Sequence, residues 1–241
     1  MVEFHNVRYL LPSGQELLHG LNLTVEAGES LMLLGRSGSG KTTTLKLINR
    51  LLEPASGEVR VAGRSTTEWD PIRLRRSLGY VIQEAGLFPH FTVERNVGLV
   101  PVLEGWDPER VRLRTHEMLT LVGLDPGEFA GRFPHQLSGG QRQRAGVARA
   151  LAADPPVLLM DEPFGALDPI TRVEIQREFQ ALQQRLQKTV IFVTHDIREA
   201  FLLGSRIAML DQGVLVAHGT AAEIRGSADP TVRLFLDCLN A

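Results

Sequence analysis

The sequence predicts an α/β fold around a mostly parallel β-sheet, and three observations predict it. Short apolar runs at Leu31 to Leu34, Val157 to Met160 and Thr189 to Val193 are hydrophobic on both faces, as strands covered by helices must be. Each run gives way at once to glycine or polar residues. A Gly- or Asp-containing turn and then a helical pattern recur along the chain, which is how strands alternating with crossover helices are written. Nothing repeats with a fixed period, and no stretch is long and polar enough to be a linker. Ligands of open α/β sheets gather at the carboxyl ends of strands, so chemistry is expected just after these runs.

Taken in order, the first run leads into Gly35-Arg36-Ser37-Gly38-Ser39-Gly40-Lys41-Thr42, a phosphate-binding pattern lying between a strand-like run and a helix-like one that begins near Lys41. Glycines let backbone N–H groups turn inward around phosphate oxygens, and the helix N-terminus adds partial positive charge. Lys41 can reach β and γ phosphates, and Thr42 offers a hydroxyl to Mg²⁺. From about Glu84 to Pro155 helical patterns replace strand-like runs, which predicts a helical subdomain inserted in the α/β core. Within it, Asp107 with Pro108 opens a helix whose buried stripe reads as Val111, Met118, Leu119 and Val122. Ser138-Gly139-Gly140-Gln141 has capping-box spacing, followed by Ala145, Ala148, Leu151 and Ala152 on one face. On capping grounds it is a structural helix start; as a glycine-rich helix N-terminus it is also able to hold an anion.

The second buried run ends in Asp161 and Glu162. Adjacent carboxylates at a strand end either mark a polar turn or divide two tasks, one binding a nucleotide's Mg²⁺ and the other orienting or deprotonating a water. Asp168 with Pro169 forms an N-cap and first-position pair, after which Ile175, Phe179, Leu182 and Leu186 recur at helical spacing. His195 follows the third run, expected at the same sheet edge as Lys41 and Asp161, as a strand-end polar residue or as a group beside a γ-phosphate. After Ile207 the text reads as a hairpin around Asp211-Gln212-Gly213, then short helices.

Composition narrows the function further. The 241 residues, 43% of them hydrophobic, suffice for a sizeable core and exclude disorder for most of the chain. No apolar stretch approaches the roughly 18 to 20 residues that cross a bilayer. Met1-Val2-Glu3-Phe4-His5 has neither a basic nor an apolar leader region, so the chain is expected in the cytosol. A lone cysteine, Cys238, excludes an internal disulfide and reads as a bystander. With 26 basic against 28 acidic residues and a net charge of −2, nucleic acid is not an expected partner.

Together these residues resemble the ATPase subunit of ATP-binding-cassette (ABC) transporters over essentially the whole chain. The order carries the resemblance: the Walker A loop at Gly35 to Thr42, Gln83, Leu137-Ser138-Gly139-Gly140-Gln141, Walker B ending in Asp161 and Glu162, Ala166-Leu167-Asp168, then His195. The resemblance implies a P-loop NTPase fold of ABC type with N-terminal antiparallel strands, residues 1–83 and 156–241 forming the α/β core and about 84–155 the helical subdomain. It makes Tyr9 the aromatic that stacks on adenine, and places Gly35, Ser37, Gly38, Ser39, Gly40, Lys41, Thr42 and Thr43 around ATP. Thr42, Gln83 and Asp161 would serve Mg²⁺, with Glu162, His195 and Lys41 catalytic. Ser138, Gly139, Gly140, Gln141 and Asp168 would face ATP held by the other subunit of a head-to-tail dimer. Two positions depart from the pattern: Arg36 stands where importers commonly have proline, and Gly165 where serine is common.

Asp161-Glu162-Pro163-Phe164 and Leu87-Phe88-Pro89-His90 are similar to importer cassettes, which implies a homodimer at the cytoplasmic face of the membrane with permease subunits and, indirectly, a solute-binding protein. Leu87 and Phe88, in the stretch Glu84 to His90, either line a groove for a short permease helix or belong to the subdomain core. Gly79 to Val93 with Phe164 to Arg172 looks most like the ATPases of osmoprotectant importers for glycine betaine, choline and carnitine; importers of amino acids or oxyanions share parts of the text. A soluble ATPase acting on DNA or ribosomes would usually carry a coiled-coil insertion or a duplicated cassette. A scaffold without turnover is at odds with an intact Glu162 and His195. No appended regulatory domain, and so no cassette-borne sensing of ionic strength, is expected.

Overall fold

The computed structural model describes residues 1–83 and 85–237; Glu84, Cys238 and residues 239–241 lie outside them. In chain order the strands are β1 (Val2–Leu10), β2 (Glu16–Val25), β3 (Ser30–Gly35), β4 (Ser56–Val61), β5 (Arg64–Ser65), β6 (Leu78–Val81), β7 (Val157–Asp161), β8 (Thr189–Thr194), β9 (Arg206–Asp211) and β10 (Val214–Gly219). The helices are α1 (Lys41–Ile48), α2 (Pro71–Arg76), α3 (Val93–Val97), α4 (Leu99–Leu103), α5 (Pro108–Leu121), α6 (Pro126–Phe129), α7 (Gly139–Leu151), α8 (Pro169–Leu186), α9 (Ile197–Leu203), α10 (Ala221–Gly226) and α11 (Pro230–Asp237). Contacts divide the chain into two compact units, Met1–Arg75 with Lys188–Ala241, and Arg76–Gln187.

The first unit holds two sheets. Strand β3 runs parallel to β8 on one side and β9 on the other, and β10 closes the edge antiparallel to β9. Leu31, Met32, Leu33 and Leu34 are wholly buried, each worth about 1.5 to 3 kcal/mol against exposure. The β9–β10 turn is the expected hairpin: Gln212 and Gly213 both have positive φ, the twist that suits a two-residue loop. The other sheet is antiparallel, ordered β2-β1-β4-β5. Its central strand is not regular, because Asn6 sits at φ 48° and the register against β2 shifts between Phe4 and Val7. The two sheets meet where the His19 amide donates to the Gly213 carbonyl at 3.1 Å.

In the second unit β6 and β7 pair in parallel, and every described element between them is helical. Helix α7 packs on β6 and against α3, α5 and α8. The approach is close: a Cβ on Gly79 of β6 would lie 2.6 Å from the Ala150 carbonyl oxygen. Asp107 caps α5 by accepting from the Arg110 amide, as its Asp-Pro start predicts. The α5 stripe differs from expectation at one end. Val111 is only half-buried, and Thr115 is fully buried in its place, on the turn between Val111 and Met118. Helix α8 buries Ile175, Phe179 and Leu182, with Leu186 half-buried as the helix runs out. Among the described residues no helix is long and apolar enough to cross a membrane.

Candidate functional site

In the first unit, β3 delivers the glycine loop and α1 receives it. Gly35 admits no side chain, since a Cβ there would come within 2.2 Å of the Leu210 carbonyl oxygen and 2.6 Å of Ser39 Oγ. Gly38 and Gly40 sit at φ 80° and 101°, conformations that side chains disfavour. Gly40 caps α1, whose first turn carries no acidic residue, so no carboxylate there offsets the positive end of the helix. Lys41 is 5% exposed, and its Nζ donates to the carbonyls of Gly35 and Arg36, both at 2.8 Å. A buried ammonium curled onto the loop backbone, a helix N-terminus and a buried Ser39 hydroxyl without a partner among the described residues form a cradle for an anion of phosphate type. Thr42 and Thr43 follow, half-buried, on the first turn of α1.

Tyr9, on β1, faces Leu18 across the antiparallel pair, and Leu18 Cδ2 lies 2.6 Å from where a Cβ on Gly40 would sit. The aromatic is thus one side chain removed from the loop, and half-buried. His195 is exposed at the carboxyl end of β8, beside β3. It lies one residue before Asp196, the N-cap of α9.

The second unit gathers the remaining residues. Asp161 ends β7 half-buried; burial, and then the Asp161 charge, pushes the Tyr80 phenol up to about 12, so Tyr80 stays neutral. Glu162 takes φ 44°, a left-handed backbone that is unusual outside glycine, Asn and Asp. Gln83 and Glu162 converge on Gly165. The point a Gly165 Cβ would occupy is 3.5 Å from Gln83 Nε2 and 3.8 Å from Glu162 Oε2. The turn from Phe164 to Leu167 is held by Arg172, whose Nε donates to the Phe164 carbonyl at 3.2 Å and whose Nη2 donates to that of Leu167 at 2.9 Å.

Ser138 and Gln141 form the reciprocal capping box: the Gln141 amide donates to Ser138 Oγ at 3.2 Å and the Ser138 amide to Gln141 Oε1 at 2.8 Å. Ser138 and Gly139 are exposed at the start of α7. Asp168 caps α8 by accepting from the Ile170 and Thr171 amides, and these hydrogen bonds, the Thr171 ones foremost, hold its carboxyl below the usual aspartate range. The two helix starts are neighbours, since a Cβ on Gly140 would lie 2.9 Å from Thr171 Cγ2 and one on Gly139 3.5 Å from Leu167 Cδ2. Phe88 is 42% exposed, against the core alternative, and Leu87 is half-buried. Asn96 fixes their loop: its Oδ1 accepts from the Phe88 amide at 2.7 Å, and its Nδ2 donates to the carbonyls of Phe88, Phe91 and Thr92. Glu84, at the start of that stretch, is outside the described residues. The sequence gives no sign of the Glu162 backbone or of the Arg172 and Asn96 contacts, because a side chain reaching a distant carbonyl leaves no spacing pattern.

A buried parallel strand, a glycine loop that excludes side chains and a helix start with a lysine in it define a P-loop nucleotide-binding protein. More narrowly, the chain belongs to the ABC transporter family, whose pattern matches residues 18–165. It is 49% identical, over 98% of its length, to the glycine betaine/carnitine/choline transport ATP-binding protein OpuCA of Bacillus subtilis, and 50% identical, over 93%, to the osmoprotectant import ATP-binding protein OsmV of Salmonella typhimurium. It spans 62% and 60% of those two relatives' lengths. Among solved structures it resembles the dimeric, post-hydrolysis ATP-binding cassette MJ0796 bound to ADP and Pi (TM-score 0.81, 37% identity, 91% of this chain and 98% of that one). It also resembles cbiO1 of Clostridium perfringens, part of the ABC transporter complex cbiONQ (TM-score 0.85, 27% identity, 99% and 96%). The mostly parallel α/β architecture with antiparallel N-terminal strands is thus that of an ABC cassette.

Proposed function

We propose that the chain hydrolyses ATP and that this hydrolysis drives uptake of quaternary-amine osmoprotectants through a membrane permease. The observation that carries the reading is the Gly35 to Thr42 loop, with the buried Lys41 ammonium turned onto its own backbone. On this reading Lys41 and the amides of Gly35, Ser37, Gly38, Ser39 and Gly40 hold the phosphates, Thr43 adds a hydroxyl, and Tyr9 stacks on adenine. The hydroxyl of Thr42, the carboxylate of Asp161 and the amide oxygen of Gln83 are hard oxygen donors of the kind that suit Mg²⁺. When bound, the ion neutralises charge on the β and γ phosphate oxygens. Glu162 orients and polarises the attacking water, and His195 contacts the γ-phosphate.

Ser138, Gly139, Gly140, Gln141 and Asp168 serve a second copy of the chain. Their helix starts are adjacent and exposed, which supports a role toward a phosphate carried by another molecule. The working form is a homodimer peripheral to the cytoplasmic face of the membrane, with permease subunits at the loop around Phe88 and a solute-binding protein acting through the permease. The near-neutral charge supports no nucleic-acid role. The cargo rests on kinship with OpuCA and OsmV, since no residue of a cassette meets it. The test is reconstitution with permease and binding protein, screening betaine, choline and carnitine against amino acids and oxyanions. Stimulation of ATPase by a quaternary amine is expected; a response only to an amino acid or an oxyanion would replace the cargo and keep the importer.

A further inference from the structure

We propose that Arg149 is a positioning residue that fastens the turn after Gln83 to the last turn of α7, so that one helix carries both the Ser138 box and the support of Gln83. The inference rests on the ATPase reading above. Arg149 Nη1 donates to the Gly86 carbonyl at 2.7 Å and Nη2 to the Ala85 carbonyl at 2.6 Å. Among the described residues no carboxylate pairs with it, and burial lowers the proton affinity of its guanidinium. A half-buried cation without a carboxylate partner is not fixed by an ion pair, so the two carbonyls are what hold its place.

The turn it grips needs holding. Ala85 and Gly86 lie at φ 58° and 55°, and for alanine that conformation is strained. Ala85 is buried, its amide donating to the Ile82 carbonyl at 3.0 Å. One turn before Arg149, Gly146 lets the segment in: a Cβ there would lie 3.0 Å from Ala85 Cβ. Gln83, two residues before Ala85, reaches the same Gly165 point as Glu162. Movement of the turn therefore moves an amide that belongs beside the reacting water. From Gln141 to Arg149 the helix rises about 12 Å as one rigid rod. A phosphate carried by a second cassette and met at the Ser138 end is then coupled to Gln83 at the other.

The plain alternative is that Arg149 only offsets the negative end of α7, as a cation in a last turn does. Arg149→Lys separates the two, because it keeps the charge and loses the two-pronged hold. We expect kcat to fall about tenfold to a hundredfold, in line with small misplacements of a catalytic group, while ATP-driven dimerisation in a Glu162→Gln background stays unchanged. In a Gln83→Ala background the same change should cost less than about twofold, since the group it positions is gone. Parental turnover in Arg149→Lys, or losses that multiply with Gln83→Ala, overturns the inference. Hydrogen exchange is read in parallel and needs no turnover: the amides of Ala85 to Phe88 should exchange about tenfold faster in Arg149→Lys with α7 unchanged, and equal rates overturn it. A parent without ATPase activity but with this exchange difference refutes the ATPase reading and leaves the fastening of the turn intact. Should Arg149→Lys fail to fold, Gly146→Ala, which presses a methyl on Ala85, goes through the same comparison and decides it.

Discussion

The glycine loop of the first unit and the carboxylate turns of the second reach fixed geometry by opposite means. From Gly35 to Gly40 three glycines shape the backbone by the absence of side chains, and the Lys41 side chain folds back on carbonyls of the loop itself. The turns after Gln83 and Glu162 carry alanine and glutamate in left-handed conformations, and arginines from α7 and α8 hold their carbonyls in place. A site made of backbone is damaged by adding atoms. One made of side chains is damaged by removing them.

Four substitutions and one control bear on that contrast, from the largest expected effect to the smallest. Glu162→Gln changes one atom of a side chain in the second unit and should cut turnover about 10²- to 10⁴-fold, the usual worth of general-base help, while ATP binding persists. Steady-state rates within twofold of the parent would take the water-activating role away from Glu162. Gly35→Ala adds one carbon in the first unit, against a backbone oxygen that cannot give, and should cost about 1 to 3 kcal/mol of stability together with ATP binding. Ser37→Ala, which removes an atom from the same loop, serves as the control; equal losses from the two in nucleotide titrations and thermal melts would break the distinction.

Arg172→Met sharpens the second half. It removes the side-chain donor that the carbonyls of Phe164 and Leu167 share, and stability should fall about 1 to 3 kcal/mol, with turnover reduced more than ATP affinity. A denaturant midpoint equal to the parent's would make the contact incidental. The smallest effect lies at His218, on the first unit's β10, where burial and then the Arg206 charge hold the imidazole below its ordinary proton affinity. The folded state binds that proton more weakly than the unfolded chain does. Its contribution is therefore complete above about pH 6.5 and is lost as pH falls through that value. His218→Gln should flatten this acid-side decline; thermal midpoints that drop equally between pH 7.5 and 5.5 in variant and parent would place the slope elsewhere.

What could be read in the sequence follows the same divide. β3, β7 and β8 are legible because strands buried on both faces are written in unbroken hydrophobic residues, and the Gly35 to Thr42 loop because its glycines are themselves the geometry. α5, α7 and α8 announce their starts with Asp-Pro pairs and a capping box. The antiparallel N-terminal sheet could be reached only through the family resemblance. Asn6 and the register shift between Phe4 and Val7 break the period of two by which a half-buried strand is recognised. Thr115 replaces Val111 in the α5 core for a comparable reason: the turn it occupies is polar in sequence and buried by its neighbours. Held turns such as those at Ala85 and Phe164 are invisible until the chain is folded, because their partners lie 64 and 8 residues away.

The left-handed backbone of Glu162 sets two evolutionary pressures against each other at one position. Glycine would occupy φ 44° with less strain, by about 1 kcal/mol or more, so selection for stability alone favours replacing the carboxylate there. On the proposed reading, in which the carboxylate polarises water, selection for turnover favours keeping it. In a lineage released from the demand for turnover, position 162 is where drift toward glycine or asparagine should come early, and it would leave behind a more stable cassette with an intact glycine loop.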